Sequence, residues 1–429
     1  MSARLSLEDN LILCCCGINL RNETIKKIEQ ILLQKLDWDY ISKILYKHDI
    51  ANLIYNNLRE RNNKNCIPAA FLKTLSLAYF KTAQKNILYL KEYYSIAKSF
   101  NKQNINFIPL KGIWFVEEIY KNIALRNFTD TDILVQKNDL YNAEMVLKNQ
   151  GFTKKKTDRK MQANHFHSFF WKKGRIAYVV ELHWDIDYVN TPFNVSIQEL
   201  WANKAEICRQ EFSFYRLSNE DTILHNSLHI IQHAVEQHFI SLKNLCDLSE
   251  LIRANTETIS WDGIAAQAER YKLSRPVLVV AVLLNKLFNA QIPKIFFSSL
   301  TQTQHDDADK FIQSIIQHRI FSLHSSSPHP PQQLVSFITG NNLFQKVGII
   351  YPILKSFFRQ FETAYYTDIH HSFLRAFIVT IQGTMESLSN YFKTLYHFLT
   401  NYKQTHVLIE KEAAFEQEQK ELDTWICGK

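Results

Sequence analysis

The helical periodicity of this chain breaks at Asn104, and that break constrains the fold more than any other feature. Upstream, apolar residues recur at helical spacing, as in Ile41, Ile44, Leu45, Leu53, Ile54 and Leu58, and Pro68 suits the first turn of a helix running on to Phe100. The run Ile105-Asn106-Phe107-Ile108-Pro109-Leu110 is instead short, apolar and β-branched, and it stops at Lys111-Gly112. It reads as a strand, a tight turn and a helix from Ile113 to Tyr120. A second strand is expected at Thr131 to Val135, then a surface helix from Asp139 to Gln150 ended by Gly151. The runs His165 to Trp171 and Arg175 to His183 read as a hairpin turning at Lys173-Gly174.

The expected fold class is therefore α+β and predominantly helical, with a small mixed β-sheet core flanked by N- and C-terminal helical regions. The boundaries expected are an N-terminal helical region, 1–103, packing on the core through Trp38, Tyr40, Leu53 and Leu58; the α+β core, 104–190; a helical region, 191–324, whose first helix begins near Asn219 with Asp221 as its cap; and a C-terminal helical region, 334–429. Ser325 to Pro331 is the linker before the last region, and the apolar run Val277 to Leu284 is a core helix.

Composition excludes several classes. Glycine occurs only 9 times in 429 residues, and neither a dinucleotide-binding fingerprint nor a P-loop is present. The seven cysteines are odd in number, three adjoin at Cys14, Cys15 and Cys16, and none forms a CxxC pair. That pattern suits reduced thiols rather than a disulfide framework or a zinc knuckle. No charged-then-apolar leader opens the sequence and no apolar run approaches the ~20 residues of a membrane span. The expectation is a cytoplasmic protein with no membrane partner. A net charge of +8 suits an anionic partner without selecting one; nucleic acid is possible but not indicated. The densest basic run, Lys154-Lys155-Lys156 with Arg159 and Lys160, is a solvated turn or a phosphate-facing loop.

The residues that carry chemistry cluster in the island. Asp130 and Asp132 lie two apart at the head of a strand, so both point to one face. Carboxylates at that spacing hold Mg²⁺, which takes hard oxygen ligands and carries nucleotide phosphates. Glu181, alternating with His183 on a later strand, can add a third carboxylate. Lys111-Gly112, between a strand and a helix, and Arg126 are the candidate phosphate contacts.

These residues resemble a known family. Ile108-Pro109-Leu110-Lys111-Gly112, Tyr120, Arg126 and Thr129-Asp130-Thr131-Asp132-Ile133-Leu134-Val135 look like the signature of the uncharacterised bacterial nucleotidyltransferase family, within the polymerase-β-like superfamily. The likeness extends over about residues 36–252, through Asp37-Trp38-Asp39-Tyr40, Gly151-Phe152, Glu181-Leu182-His183-Trp184, Leu228-His229 and Leu245-Cys246-Asp247-Leu248. It implies a Mg²⁺- or Mn²⁺-dependent enzyme that moves a nucleoside monophosphate from an NTP to an unassigned acceptor. Asp130, Asp132 and Glu181 would be the catalytic metal ligands, and Lys111, Gly112 and Arg126 would hold the nucleotide. The superfamily's Gly-Ser turn is Lys111-Gly112 here, so the serine contact to phosphate is replaced by the charge of Lys111. A non-catalytic nucleotide- or partner-binding protein on the same scaffold is the alternative. A third reading places a metal-dependent hydrolase at His225, His229 and His233, which share a helix face, with Asp247.

Overall fold

The computed structural model describes residues 5–61, 66–155, 166–186, 191–300 and 311–323, together with 417, 420, 421, 423 and 424. The expected linker and nearly all of the expected C-terminal region, 334–429, lie outside the described residues, as do His165, Lys156, Arg159 and Lys160. One compact unit comprises Met1–Leu323 with Thr424–Lys429, and a second comprises His324–Asp423. In the second unit, Gln417 donates from Nε2 to Glu421 Oε1 at 3.1 Å, one helical turn on.

The first unit opens with five helices: α1 (Leu7–Cys14), α2 (Asn22–Leu32), α3 (Trp38–His48), α4 (Ala51–Leu58) and α5 (Ala69–Lys102). Asp37 caps α3 by accepting from Tyr40 N at 2.9 Å. The apolar pattern over 36–58 is interrupted at Asp49, whose left-handed φ of 56° ends α3 and starts a new helix. Trp38 meets Phe71, and Tyr40 donates to Asp9 and the Phe321 carbonyl, so these two rings serve contacts among helices. The helix that grips the sheet is α5.

The sheet has five strands: β1 (Phe107–Leu110), β2 (Thr131–Val135), β3 (Thr153–Lys154), β4 (His167–Lys173) and β5 (Ala177–His183). Their spatial order is β1-β2-β5-β4-β3, with β2 and β5 parallel and the other neighbours antiparallel, so the sheet is mixed. The β4–β5 turn is Gly174-Arg175-Ile176, leaving Lys173 on its strand. After β1 the chain forms a short α6 (Lys111–Trp114) that widens into a π-helix at Phe115–Tyr120. Helix α7 (Leu140–Asn149) ends as expected: Gly151 has φ +86°, its N–H bonds Lys148 O, and Phe152 N–H bonds Leu147 O. This is the left-handed closure glycine permits, with Phe152 and Leu147 joined in the core.

Beyond the sheet come α8 (Ile197–Ala202), a two-stranded sheet of β6 (Ala205–Cys208) and β7 (Ser213–Arg216), α9 (Asn219–Gln237), α10 (Leu242–Ala254), α11 (Trp261–Arg270), α12 (Ser274–Phe288) and α13 (Lys294–Leu300). Helix α9 begins at Asn219, but its cap is Ser218, which accepts from Asp221 N at 2.9 Å. Asp221 sits three residues into the helix and takes a bond from the Ser218 hydroxyl, so its role is reciprocal. Among the described residues no cysteine pair forms a disulfide and no helix is long and apolar enough to cross a membrane.

Alternation along the strands sorts the sheet into two faces. Phe107, Ile133, Val135, Val180 and Leu182 face a core shared with Tyr89, Tyr93 and Phe100 of α5 and Leu147 of α7. Ile108, Leu110 and Leu134 face the other way, against Leu200, Trp201 and Leu217. Asp132, Glu181 and His183 belong by parity to this second face.

Candidate metal and nucleotide site

Pairing of β2 with β5 places Asp132 directly beside Glu181. His183 follows two residues after Glu181, on the same face. The Asp132 carboxylate, the Glu181 carboxylate and the His183 imidazole each offer a ligand atom, all within 4.8 Å of one another. Among the described residues this is the one group of three or more with metal-holding geometry. Two carboxylate oxygens and an imidazole nitrogen form a donor set that accepts Mg²⁺ or Mn²⁺ and, through the nitrogen, favours Mn²⁺ more than an all-oxygen set would.

Asp130 precedes β2 and lines the same cavity, of about 370 Å³. Helix α5 delivers it. Asn86 donates from Nδ2 to Ile123 O at 2.7 Å and Arg126 O at 2.9 Å. Lys85 bonds Asn127 Oδ1 and Phe128 O, and the Tyr89 hydroxyl donates to Thr129 O at 2.5 Å and Ala177 O at 3.0 Å. Three side chains on one turn of α5 thus satisfy the carbonyls of a loop that has no ladder of its own.

The acids differ in charge state. Burial, then the charges of Asp132 and Glu181, push the Asp130 carboxyl up to about 6. Burial pushes Asp132 the same way, but Lys111 and His183 outweigh it and hold that carboxyl well below the ordinary range. Lys111 Nζ lies 3.0 Å from Asp132 Oδ1, and His183 Nε2 lies 3.0 Å from the same oxygen and 3.5 Å from Glu181 Oε2. Burial would lower the pKa of His183, yet its bonds to Asp132 and Glu181 leave it raised. Alternation along the sequence puts His183 on the face of Glu181, but its place beside Asp132 depends on the strand pairing.

Lys111 stands at the turn after β1 with a left-handed φ of 48°. Gly112 packs edge to edge with two neighbours: a Cβ there would lie 2.7 Å from Arg126 Nη1 and 2.8 Å from Phe128 Cβ. Arg126 is turned towards α10. Its Nε and Nη2 grip Asp247 of α10, with Nε 3.1 Å from each carboxylate oxygen and Nη2 2.7 Å from Oδ2, while Nη1 donates to Asn127 O. Both side chains of this pair are almost wholly buried. Lys111, Gly112 and Arg126 all line the cavity.

The histidine face of α9 divides. His229 and His233 line the cavity, their rings 4.4 Å apart. His225 is buried, and burial followed by the charges of Lys111 and His183 lowers its pKa to about 3. Burial, Lys111 and the neighbouring histidines likewise hold His229 well below its ordinary value, so both rings are neutral. Asp247, the acid that the hydrolase reading assigned to these histidines, is taken by Arg126, and no metal-holding group forms among them within the described residues.

Comparison with known proteins agrees with the geometry. Residues 34–289, more than half of the chain, match the family described as "Uncharacterised nucleotidyltransferase". No curated protein shows a match. Among solved structures, the crystal structure of an antigenic nucleotidyltransferase-like protein from Paracoccidioides brasiliensis is similar at 14% identity and a TM-score of 0.30, with 49% of this chain and 97% of that chain covered. At that score the likeness adds no weight to the assignment.

Proposed function

The chain belongs to the uncharacterised nucleotidyltransferase family, and from that premise we propose that it transfers a nucleoside monophosphate from a nucleoside triphosphate to an acceptor, releasing pyrophosphate. The observation that carries the reading is the side-by-side placement of Asp132 and Glu181 on parallel strands, with Asp130 lining the same cavity. This is the pattern expected of the metal-dependent polymerase-β-like superfamily, and we place the reaction in the cytoplasm.

The residues fit a divalent cation, Mg²⁺ or Mn²⁺. Asp132 and Glu181 would hold it with His183 in reach, and Asp130 would join them. When bound, such a cation neutralises phosphate charge and lowers the pKa of an acceptor hydroxyl. The protein's part is preparation. Lys111 and His183 keep Asp132 ionised at neutral pH. Asp130, crowded by two carboxylates, ionises at the expense of repulsion that an added positive charge relieves. Glu181 would accept the acceptor's proton. We assign Lys111, Gly112 and Arg126 to the phosphates, Arg126 through its Nη1 edge because Asp247 takes the other.

Incubation with the four labelled NTPs, Mg²⁺ or Mn²⁺ and a host lysate tests the reading. Label should move to an acceptor with the native chain and not with Asp132→Asn. Calorimetric binding of Mg²⁺-ATP that Asp132→Asn abolishes, without any transfer, would instead establish the non-catalytic alternative. Absence of both would overturn the assignment.

A further inference from the structure

We infer that Lys47 and Lys243, on the helical wall of the cavity, bind the terminal phosphates of the nucleotide, a polyphosphate tail that the released pyrophosphate shares. The inference rests on the nucleotidyltransferase reading and adds a subsite to it. Neither lysine belongs to the sequence signature; one comes from the end of α3 and the other from the first turn of α10.

The two elements are locked together beside the site. His48 accepts from Leu242 N at Nδ1, 2.9 Å, and donates from Nε2 to Ile320 O, 2.9 Å. Asp49 accepts from Asn127 Nδ2 at 2.8 and 2.9 Å and pairs with Lys243 Nζ at 2.8 Å. The loop that carries Asp130 is thereby tied to the lysine wall, and Lys47, Lys243, Asp130, Asp132 and Glu181 line one cavity.

The charges on that wall are unequal. Lys111, Arg126 and Lys243 each have a carboxylate. Lys47 has none within ion-pair distance among the described residues. It donates to Ser322 O at 2.6 Å and lies 5.1 Å from the centre of the Phe239 ring. Burial lowers its pKa, and among the described residues no acid offsets the loss of water. A half-buried cation lining a cavity, whose contacts among the described residues are a carbonyl and a ring, gains from an anionic ligand. The first turn of α10 opens onto the same wall through Ser241, Lys243 and Asn244, and Ser241 makes no side-chain cap. The acids of the sheet repel a bare phosphate, so the tail's terminal charge is matched by the helix-borne lysines of the same cavity rather than at the metal ligands.

The test uses the full chain, Mn²⁺, and three probes measured by calorimetry: ATP, inorganic pyrophosphate and AMP. Lys47→Met and Lys243→Met should each weaken ATP and pyrophosphate ~10- to 100-fold, as loss of a charge-assisted contact does, and leave AMP within about twofold. Lys47→Arg should retain tail binding, and Mn²⁺ affinity read by electron paramagnetic resonance should not change in any lysine variant. If both Met variants bind ATP and pyrophosphate like the native chain, or weaken AMP as much as ATP, the subsite is wrong while the nucleotidyltransferase reading stands. If the native chain binds neither Mn²⁺ nor any probe, both fall together.

Discussion

Replacing Arg126 with Met separates a structural cation from a ligand-binding one. Arg126 and Asp247 have side chains only 7% and 2% exposed, and three of the guanidinium's hydrogen bonds go to that one carboxylate. Truncating one member of a buried pair leaves the other charged and desolvated, at a cost of ~3–5 kcal/mol. Unfolding entropy near the midpoint is ~2.1 cal/mol/K per residue, so a unit of this size carries on the order of 0.7 kcal/mol/K. The Tm of Arg126→Met should therefore fall by ~4–7 °C without nucleotide, as read by circular dichroism. Asp247→Leu alone should cost a similar amount, because it strands the arginine. The double variant Arg126→Met with Asp247→Leu should recover at least half of either loss, since two apolar groups of comparable volume can replace the pair. A fall of under 1 °C in Arg126→Met, or strict additivity in the double variant, would refute the reasoning. Whatever loss of nucleotide affinity the double variant retains belongs to the Nη1 edge.

Four further outcomes follow from the same geometry. Asp130 and Asp132 should shift stability in opposite directions: Asp130→Asn should raise Tm at pH 7 by ~1–4 °C, because its folded carboxyl titrates near 6 against an ordinary 3.8 and its ionised form is destabilising. That gain should be full above about pH 6 and fade as pH falls towards 4, whereas Asp132→Asn should lower Tm at pH 7 by removing the carboxylate that pairs with both Lys111 and His183; equal signs for both variants in a pH-resolved melt would contradict this. Gly112→Ala, whose Cβ meets Arg126 and Phe128 below 3 Å, should cost ~1–3 kcal/mol in urea denaturation, and an unchanged midpoint would show that the turn relaxes freely. His183→Ala should weaken Mn²⁺ binding ~10- to 100-fold in an equilibrium titration, and retention of native affinity would remove the imidazole from the site. A fragment starting at residue 104 should be molten by near-ultraviolet circular dichroism, since it loses Tyr89, Tyr93 and Phe100 from the sheet core, and a cooperative melt from it would sink that dependence.

Local signals in the sequence determined a good deal about this protein. The β-branched run before Lys111, the strand at Thr131–Val135 and the glycine stop at Gly151 were readable because each rests on contacts between near neighbours. The spacing of Asp130 and Asp132 was readable too, but only Asp132 stands on β2; Asp130 sits in the loop before it and reaches the cavity because α5 holds that loop. Tertiary structure decided the rest. That Glu181 and His183 stand beside Asp132 depends on β2 pairing in parallel with β5, a choice made some fifty residues apart. That Arg126 meets Asp247 depends on where α10 packs, 121 residues along the chain. Lys47 reaches the cavity only because His48 and Asp49 pin the end of α3 against α10 and the loop before β2. A sequence carries no register for such pairings; burial decides them, since a buried charge takes the partner that packing brings within reach.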